Sequence, residues 1–214
     1  MCRYVLLDVD GTLLRGPSSE RLFFRHLLMQ RHCGWRQLAS AALFSLRWWP
    51  SYGRHVLKKN KAYLVGLSVR AVEQVAETFV QEVLATRVRP SILQRLEEHR
   101  RAGHPLALLT GTPEFIAVPL AAQLQAQHYS ATGCSIRDGV FDREPPTIHP
   151  FGVEKLQQAQ ALCSRLGWRL SDCFAYADSA HDIPLLRAAG HPVAVYPDRR
   201  LRRVAADEGW EIIA

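Results

Sequence analysis

Two aspartates two positions apart follow a short apolar run near the start of the chain. They are Asp8 and Asp10 in the segment DVDGT, and the residues before them, RYVLL, are typical of a buried strand. Two carboxylates at the end of one strand can share a hard cation such as Mg²⁺. Gly11 permits a tight turn and a close approach of the backbone to a ligand. This segment therefore predicts a cation site at the end of the first strand.

A hydroxyl group and an ammonium group further along the chain suit a phosphate. Thr110 lies in the segment LLTGTPE, where the backbone N–H groups from Gly111 onward lead into a predicted helix. Helix N-termini of this kind bind phosphate oxygens. We expect the helix to open at Pro113 with Thr112 as its N-cap. Lys155, at the start of a later helix, would neutralise the charge of a phosphate and of a carboxylate nucleophile together.

The segment ADSAHD, residues 177–182, supplies two more carboxylates. Asp178 and Asp182 are four residues apart, which is about one helical turn. Taken singly, Asp182 also fits an ordinary acid in the first turn of a helix, and Lys155 fits a solvated lysine. His181 and His149 are interpreted as surface histidines, with contact to a substrate as the alternative.

The elements around these segments alternate between strand and helix from residue 90 onward. This order predicts an α/β fold with a Rossmann-like parallel sheet and helices on both of its faces. Ligands bind in such folds at the carboxyl ends of the strands, where the four segments lie. The predicted strands cover 105–109, 173–177 and 191–195, and the predicted helices 91–102, 153–166 and 199–208, with a further helix through Leu185 and Leu186.

A helical stretch separates the first strand from this alternating part. Apolar residues recur there with helical spacing from Val72 to Leu84, and further helices are predicted around 18–32, 36–48 and 54–65. We therefore expect a catalytic core of residues 1–15 and 88–214. A small all-α cap of residues 16–87 would be inserted in that core and rooted at the site.

The four segments in this order resemble the motifs of the haloacid dehalogenase superfamily. More narrowly, the chain is similar to its phosphoserine-phosphatase-like branch, whose helical cap follows the first motif. The resemblance covers essentially the whole chain and implies that Asp8 is the nucleophile and Asp10 the general acid and base. It also implies that Thr110 and Lys155 bind the phosphate, together with the backbone at Gly11 and Gly111.

The same resemblance implies Mg²⁺ as the cofactor. Asp8, the backbone carbonyl of Asp10 and Asp178 would be its protein ligands, and Asp182 would lie just behind them. The sequence departs from the family pattern at Ala177, where glycine is common before the aspartate. Phosphoserine-specific members of the family have an acidic cap residue near the first motif. Glu20 is close to that position in the sequence but does not align clearly with it, so phosphoserine is not the expected substrate.

These residues lead to a functional hypothesis with several alternatives. The resemblance implies a magnesium-dependent phosphatase that hydrolyses a phosphate monoester through an aspartyl-phosphate, on a small phosphorylated metabolite such as histidinol phosphate. One alternative is a lipid-phosphate phosphatase, similar to those for phosphatidylglycerophosphate, docked on a membrane by its cap. Another is a non-catalytic binding protein that uses the basic cap. Phosphate transfer to an acceptor other than water also stays open.

The composition and charge favour a folded protein with an anionic partner. Of 214 residues, 48% are hydrophobic and 22% charged, and the net charge is +7. Residues 21–61 include nine basic and no acidic residues, with Trp35, Trp48, Trp49 and Tyr52 among them. This pattern fits a solvated basic face over core tryptophans, or a surface for substrate or anionic lipid. Nucleic acid is not expected, since no recognised binding module appears.

The remaining sequence features concern the compartment. The five cysteines form no CxxC pair, so neither a zinc site nor a disulfide framework is indicated. The start of the chain shows no secretion signal, and the apolar stretch LASAALFSLRWW is too short to span a bilayer. We expect a cytoplasmic protein, with a peripheral membrane location as the alternative. The sequence leaves the oligomeric state open.

Overall fold

The computed structural model describes residues 3–214, except the side chain of Arg54. Cys2, one of the five cysteines, lies outside the described residues. Within them, six parallel strands form one sheet in the order β3-β2-β1-β6-β7-β8, and a short hairpin, β4–β5, stands apart. The strands are β1 (Tyr4–Leu7), β2 (Leu106–Pro113), β3 (His128–Thr132), β4 (Ile136–Arg137), β5 (Val140–Phe141), β6 (Cys173–Ala177), β7 (His191–Val195) and β8 (Glu211–Ile213).

Helices cover both faces of the sheet, which confirms the predicted fold class. Successive residues of β1 enter different cores: Val5 and Leu7 join one buried cluster and Leu6 the other, as alternation along a strand requires. The helices are α1 (Ser19–Met29), α2 (Trp35–Tyr52), α3 (Val56–Lys59), α4 (Val69–Phe79), α5 (Pro90–Arg101), α6 (Glu114–Gln123), α7 (Val153–Leu166), α8 (Ile183–Ala188) and α9 (Arg199–Asp207).

Strand register brings the predicted site segments to one edge of the sheet. Leu7, the last residue of β1, pairs with Leu108 of β2 on one side and with Tyr176 of β6 on the other. The residues that follow in each strand therefore emerge side by side. This arrangement is the crevice at the carboxyl ends of parallel strands in which ligands bind.

Several predicted boundaries are wrong, each for a local reason. Strand β2 continues to Pro113, so helix α6 begins at Glu114 with Pro113 as its N-cap, and Thr112 is not the cap. The helix predicted over 54–65 is broken into α3 and flanking 3₁₀ turns, with an extended residue at Asn60. Strands β3 and β8 were not predicted, because each is short and lies at an edge of the sheet.

Residues 16–87 are largely helical, as predicted, and share a core with the sheet. The apolar stripe of α4 is confirmed: Val72, Ala76 and Phe79 are buried, as are Val80 and Leu84 in the π-helical turn that follows. The division into a core and an inserted cap stays a prediction. Among residues 3–214, no helix is both long and apolar enough to cross a membrane.

An aromatic cluster joins the helical stretch to the α/β part. The ring of Phe23 in α1 lies 5.2 Å from that of Phe79 in α4 and 5.1 Å from that of Phe115 in α6. Phe23 is completely buried. Its side chain therefore belongs to both parts of the molecule.

Replacing Phe23 with alanine tests this shared core. We expect Phe23→Ala to lower the free energy of unfolding by about 3–5 kcal/mol, because it leaves a cavity between α1, α4 and α6. Leu57→Ala, at a side chain that is 70% exposed, is the control and should change little. Urea denaturation of both variants measures the difference, and a cost near that of the control would contradict the shared core.

Candidate active site

A buried ion-pair triad lies at the end of β1. The ammonium group of Lys155 is 2.8 Å from Asp8 Oδ1 and 3.1 Å from Asp182 Oδ1. All three side chains are buried. Burial lowers the pKa of Lys155, but the two carboxylates outweigh it and hold that pKa above its usual range. Lys155 therefore stays charged and links the start of α7 to the end of β1 and to the turn after β6.

Three carboxylates converge beside this lysine. Asp8, Asp178 and Asp182 each offer an oxygen atom, and these oxygens lie within 4.8 Å of one another. The Thr12 hydroxyl lies 3.3 Å from both Asp8 Oδ2 and Asp178 Oδ1. Burial raises the pKa of Asp178 to about 7, with further contributions from Asp8 and Asp182. Burial also raises the pKa of Asp8, against the attraction of Lys155.

The donor set of this cluster fits a hard divalent cation. Carboxylate oxygens are the ligands that Mg²⁺ prefers, and three carboxylates with one ammonium group leave an excess of negative charge. Gly11 has φ +86°, and a Cβ atom there would overlap the carboxylate of Asp178. Gly11 thus lets the β1 turn lie against Asp178, which is a different contact from the phosphate contact that the sequence suggested.

Asp10 is held by three hydrogen bonds from elements far apart in the chain. Its Oδ1 accepts the Ser19 backbone N–H at 2.6 Å, and its Oδ2 accepts the Ser19 hydroxyl at 3.1 Å and the Thr112 hydroxyl at 3.3 Å. Burial raises the pKa of Asp10 to about 6, although the Ser19 hydrogen bonds lower it. Sequence reasoning missed Ser19; its only signal was the serine pair at the start of α1.

Thr110 belongs to a chain of hydroxyl groups that ends at Asp10. Thr110 Oγ1 accepts the Thr112 backbone N–H at 3.0 Å and donates to Thr112 Oγ1, also at 3.0 Å. The Thr112 hydroxyl, which is not a helix cap, is free to donate to Asp10. Thr110 is buried beside Gly111, whose carbonyl accepts the Thr132 hydroxyl at 2.7 Å.

The predicted residues line one cavity of about 260 Å³. Its walls include all of the predicted site residues except Gly11 and, in addition, Ser18, Glu20, Lys58, His149, Pro150, Phe151 and Ser179. A second cavity of about 450 Å³ shares Lys58, His149 and Phe151 with it and continues past His181. The two cavities therefore form an inner and an outer part of one site. A separate cavity of about 400 Å³ between α4 and α6 contains none of the predicted residues.

His149 is buried, so its interpretation as a surface histidine is wrong. The Thr132 hydroxyl donates its hydrogen to the Gly111 carbonyl, so His149 Nδ1, 2.9 Å from Thr132 Oγ1, must be the donor to that oxygen. Nε2 is then an acceptor, and it has no partner within the described residues. Burial lowers the pKa of His149 to about 3, so the ring is neutral. His181, in contrast, is exposed as expected, with its ring 4.5 Å from that of Phe151.

Two charged residues of the helical stretch also reach the cavity. Lys58 Nζ lies 3.4 Å from the centre of the Phe151 ring, where a cation is attracted by the aromatic face. Glu20 accepts hydrogen bonds from Lys61 Nζ at 2.5 Å and from the Tyr63 hydroxyl at 3.0 Å. The negative charge of Glu20 is thus largely balanced by Lys61, which is itself buried.

Comparisons with known proteins agree with this geometry. A profile of the haloacid dehalogenase-like hydrolases matches residues 5–187. The chain belongs to this family. It is 30% identical over 211 residues to phosphoserine phosphatase SerB1 of Mycobacterium tuberculosis, covering 96% of this chain and 68% of that protein. It is 29% identical over 224 residues to a histidinol-phosphatase of Neisseria meningitidis, covering 100% of this chain and 99% of that protein.

A solved structure extends the comparison to the fold. A protein of unknown function from Bordetella pertussis matches with a TM-score of 0.81 at 27% identity, covering 100% of this chain and 98% of that one. As a haloacid dehalogenase-like hydrolase of the phosphoserine-phosphatase-like branch, the protein is an enzyme that acts on phosphate monoesters. The predicted family and the predicted enzyme class are therefore confirmed.

Removing the charge of Lys155 tests the ion-pair triad of this hydrolase. Without metal, Lys155→Met should lower the free energy of unfolding by about 3–5 kcal/mol, because two buried carboxylates lose their counter-charge. The loss should shrink as the pH falls, since protonation removes the charge that the lysine balances.

A second substitution gives the control. Asp182→Asn in the Lys155→Met background should recover part of the lost stability, because one unpaired buried charge is then gone. Urea denaturation at neutral and acid pH measures all three proteins. A Lys155→Met variant as stable as the wild type would contradict the triad.

Proposed function

We propose that this enzyme hydrolyses a phosphate monoester with Mg²⁺ through a phosphorylated Asp8. The observation that carries the proposal is the pairing of Asp8 with Lys155 at 2.8 Å in the wall of the inner cavity. A carboxylate nucleophile splits the hydrolysis into two easier displacements. Phosphoryl transfer depends chiefly on positioning and charge neutralisation, and the buried ammonium group supplies both.

The first displacement uses Asp8 and Asp10. An oxygen of Asp8 bonds to phosphorus while the bond from phosphorus to the leaving-group oxygen breaks. Asp10, whose pKa is raised to about 6 by burial, gives its proton to that oxygen. Lys155 and the backbone at Gly111 bind the equatorial phosphate oxygens, and the Thr110 hydroxyl joins them by turning its hydrogen from Thr112 Oγ1 to the phosphate. In the second displacement Asp10 takes a proton from water, whose oxygen bonds to phosphorus and releases Asp8.

The acidic cluster is proposed as the magnesium site. Asp8, the Asp10 carbonyl and Asp178 would hold the ion, with Asp182 orienting Lys155 behind them. When bound, Mg²⁺ supplies Lewis-acid polarisation and offsets the repulsion between the phosphate and the Asp8 carboxylate. Thr12 orients the two carboxylates that share its hydroxyl hydrogen.

Residues 16–87 are proposed to act as the cap. They contribute Ser19, which fixes the Asp10 carboxylate, and Glu20 and Lys58, which line the inner cavity. A cap that completes the cavity keeps water away while the acyl phosphate forms. The substrate's leaving group would then extend toward the outer cavity, between Lys58, Phe151 and His149.

For the substrate we propose a small phosphorylated metabolite. The whole-length similarity to a histidinol-phosphatase supports a phosphorylated amino alcohol. The buried acceptor Nε2 of His149, which has no partner among the described residues, supports a substrate with a hydrogen-bond donor. Phosphoserine is less favoured, because Lys61 already balances the charge of Glu20. The four described cysteines are unpaired, which supports a reducing compartment such as the cytoplasm.

Phosphate release from a panel of monoesters tests the proposal. The panel contains an aryl phosphate, histidinol phosphate, phosphoserine and phosphatidylglycerophosphate, each with Mg²⁺. We expect Asp8→Asn to lower kcat by about 10⁴-fold or more, since it removes the nucleophile. Asp207→Asn, at an exposed helix position, is the matched control.

The preferred compound decides between a metabolite and the lipid-phosphate alternative. Turnover that survives in Asp8→Asn would overturn the aspartyl-phosphate route. A folded wild type without turnover on any compound would contradict the proposed substrate class.

The metal site has a test that does not depend on turnover. We expect saturating Mg²⁺ to raise the Tm of the wild type by about 5 °C or more, because the ion binds only the folded cluster and relieves its repulsion. Asp178→Asn should lose most of this rise, whereas Asp207→Asn should keep it. Differential scanning calorimetry with Mg²⁺ and with EDTA gives both values, and an equal rise in all proteins would contradict the assignment.

A further inference from the structure

Helix α2 has apolar residues on the side that packs against the protein and also on the opposite, exposed side. The inner face packs Phe44 and Trp48 against a small buried cluster that contains Val56 and Ala62. An amphipathic helix would place polar residues on the opposite face. The face of α2 that points away from the protein is instead as apolar as the one that packs.

The outer face forms a continuous apolar row. Its large side chains are spaced at i, i+3, i+8, i+11 and i+14, which places them on one half of a helix. Ala39 and Ala42 lie between them on the same side and are exposed too. The exposed fractions are 76% for Trp35, 47% for Leu38, 62% for Leu43, 74% for Leu46 and 57% for Trp49.

Such a row differs from the apolar surface of ordinary proteins. Single exposed apolar residues are common, but a contiguous exposed patch marks a surface for a partner or a membrane. Trp35 and Trp49, at the two ends of the row, are about 21 Å apart along the helix axis, because a helix rises about 1.5 Å per residue. The row is long enough to lie along a flat surface.

Basic residues border this row, and no acidic residue of the surrounding sequence opposes them. Arg36 and Arg47 are exposed and follow the row along one side by helical spacing. Residues 21–61 contain no aspartate or glutamate. Arg47 has an ion pair with Glu144, but at 3.9 Å between two exposed side chains this contact is weak.

We propose that α2 docks this enzyme on the surface of an anionic lipid bilayer, with the outer row in the interface. A helix with tryptophan and leucine on one face and arginine beside it lies in the plane of the interface. Arg36 and Arg47 bind the anionic headgroups, and the tryptophans occupy the headgroup level. The chemistry of the partner is thus that of a negatively charged lipid surface.

A second copy of the chain fits this surface less well than a bilayer does. Two-fold pairing brings the same patch of each subunit together. When the two rows pair antiparallel, the arginines beside one row face the arginines beside the other, and Glu144, 3.9 Å from Arg47, balances them only weakly. Anionic headgroups remove this repulsion and attract the same residues.

The C-terminal end of α2 borders the outer cavity. Ser51 and Tyr52, in the last turn of α2, line the outer cavity together with Lys58 and Phe151. Tyr52 packs on the inner side of α2, so the outer cavity lies on the side of the helix opposite the outer row, and docking leaves it uncovered. The inference goes beyond the proposed function, because either a soluble or a lipid-bound phosphate monoester can enter a site beside a membrane.

Vesicle binding tests this inference without any assay of turnover. The wild type should co-sediment with vesicles of phosphatidylcholine mixed with phosphatidylglycerol, and far less with phosphatidylcholine alone. Binding should weaken as salt is added, since headgroup attraction is screened. Lipid contact should also shift the tryptophan emission of the wild type to shorter wavelength.

Matched variants separate the outer row from other exposed apolar residues. Replacing the row residues by Trp35→Ser, Leu46→Gln and Trp49→Ser should weaken binding about tenfold or more. The control, Leu93→Gln with Val118→Gln and Ile136→Gln, removes as many exposed apolar side chains elsewhere and should bind as the wild type does. Arg36→Gln and Arg47→Gln should each weaken binding about fivefold.

Measurements of Tm and turnover show whether a variant loses vesicle binding only because it is misfolded. All of these side chains are exposed, so Tm and turnover of an aryl phosphate should stay at the wild-type value. Equal vesicle binding by the row variant and the wild type would overturn the proposal, as would equal binding to both kinds of vesicle. A wild-type dimer that the row variant abolishes, with no vesicle binding, would assign the surface to a second copy.

Discussion

The pairing of buried charges governs the organisation of this enzyme. Lys155, only 3% exposed, lies between two carboxylates that are 7% and 4% exposed, Asp8 and Asp182. Removing such groups from water costs several kcal/mol for each ion, and the cost is recovered only when the partners meet at close range. β1, α7 and the turn after β6 therefore have to converge within a few ångströms. The parallel sheet makes this convergence possible, because β1 lies between β2 and β6 and all three end at the same edge.

The proposed acid and base is held by a different kind of network. Among the described residues Asp10 forms no ion pair, and it depends on donors from Ser19 and Thr112, which belong to α1 and to the end of β2. Hydrogen bonds favour the ionised form of the carboxyl group and burial favours the neutral form, and the balance raises its pKa to about 6. Asp8 and Asp10 stand two residues apart, and the proposal gives them different roles because their surroundings differ.

The helical stretch contributes to the site and also to the surface. Through Phe23 it shares the aromatic core with α6, and through Ser19, Glu20 and Lys58 it lines the inner cavity. Its longest helix, α2, packs one apolar face inward and presents another to the outside. The chain therefore combines the candidate active site with a surface that the proposed chemistry of that site does not require.

Much of the fold and site could be predicted from local patterns. Buried strands of a parallel sheet are short apolar runs, and β6 and β7 fall where that pattern placed them. The carboxylates and Thr110 of the candidate site could be predicted because ligand-binding residues in this fold follow the ends of strands, and Lys155 because it opens a helix beside them. Edge strand β3 was not predicted, since its partly exposed residues do not form an apolar run. Thr112 was wrongly predicted to be a helix N-cap, because proline commonly occupies the first position of a helix. In the structure β2 continues through Thr112 to Pro113.

The sequence alone determined the family, the α/β class and the residues that carry charge, because these depend on residue type and spacing. Only the tertiary structure decided which groups meet. Ser19 binds Asp10 from nine residues away, Gly11 lies against Asp178, and His149 is buried beside Thr132. It also decided that one apolar face of α2 is left outside the core. Such contacts depend on how distant elements pack, and local spacing does not record that packing.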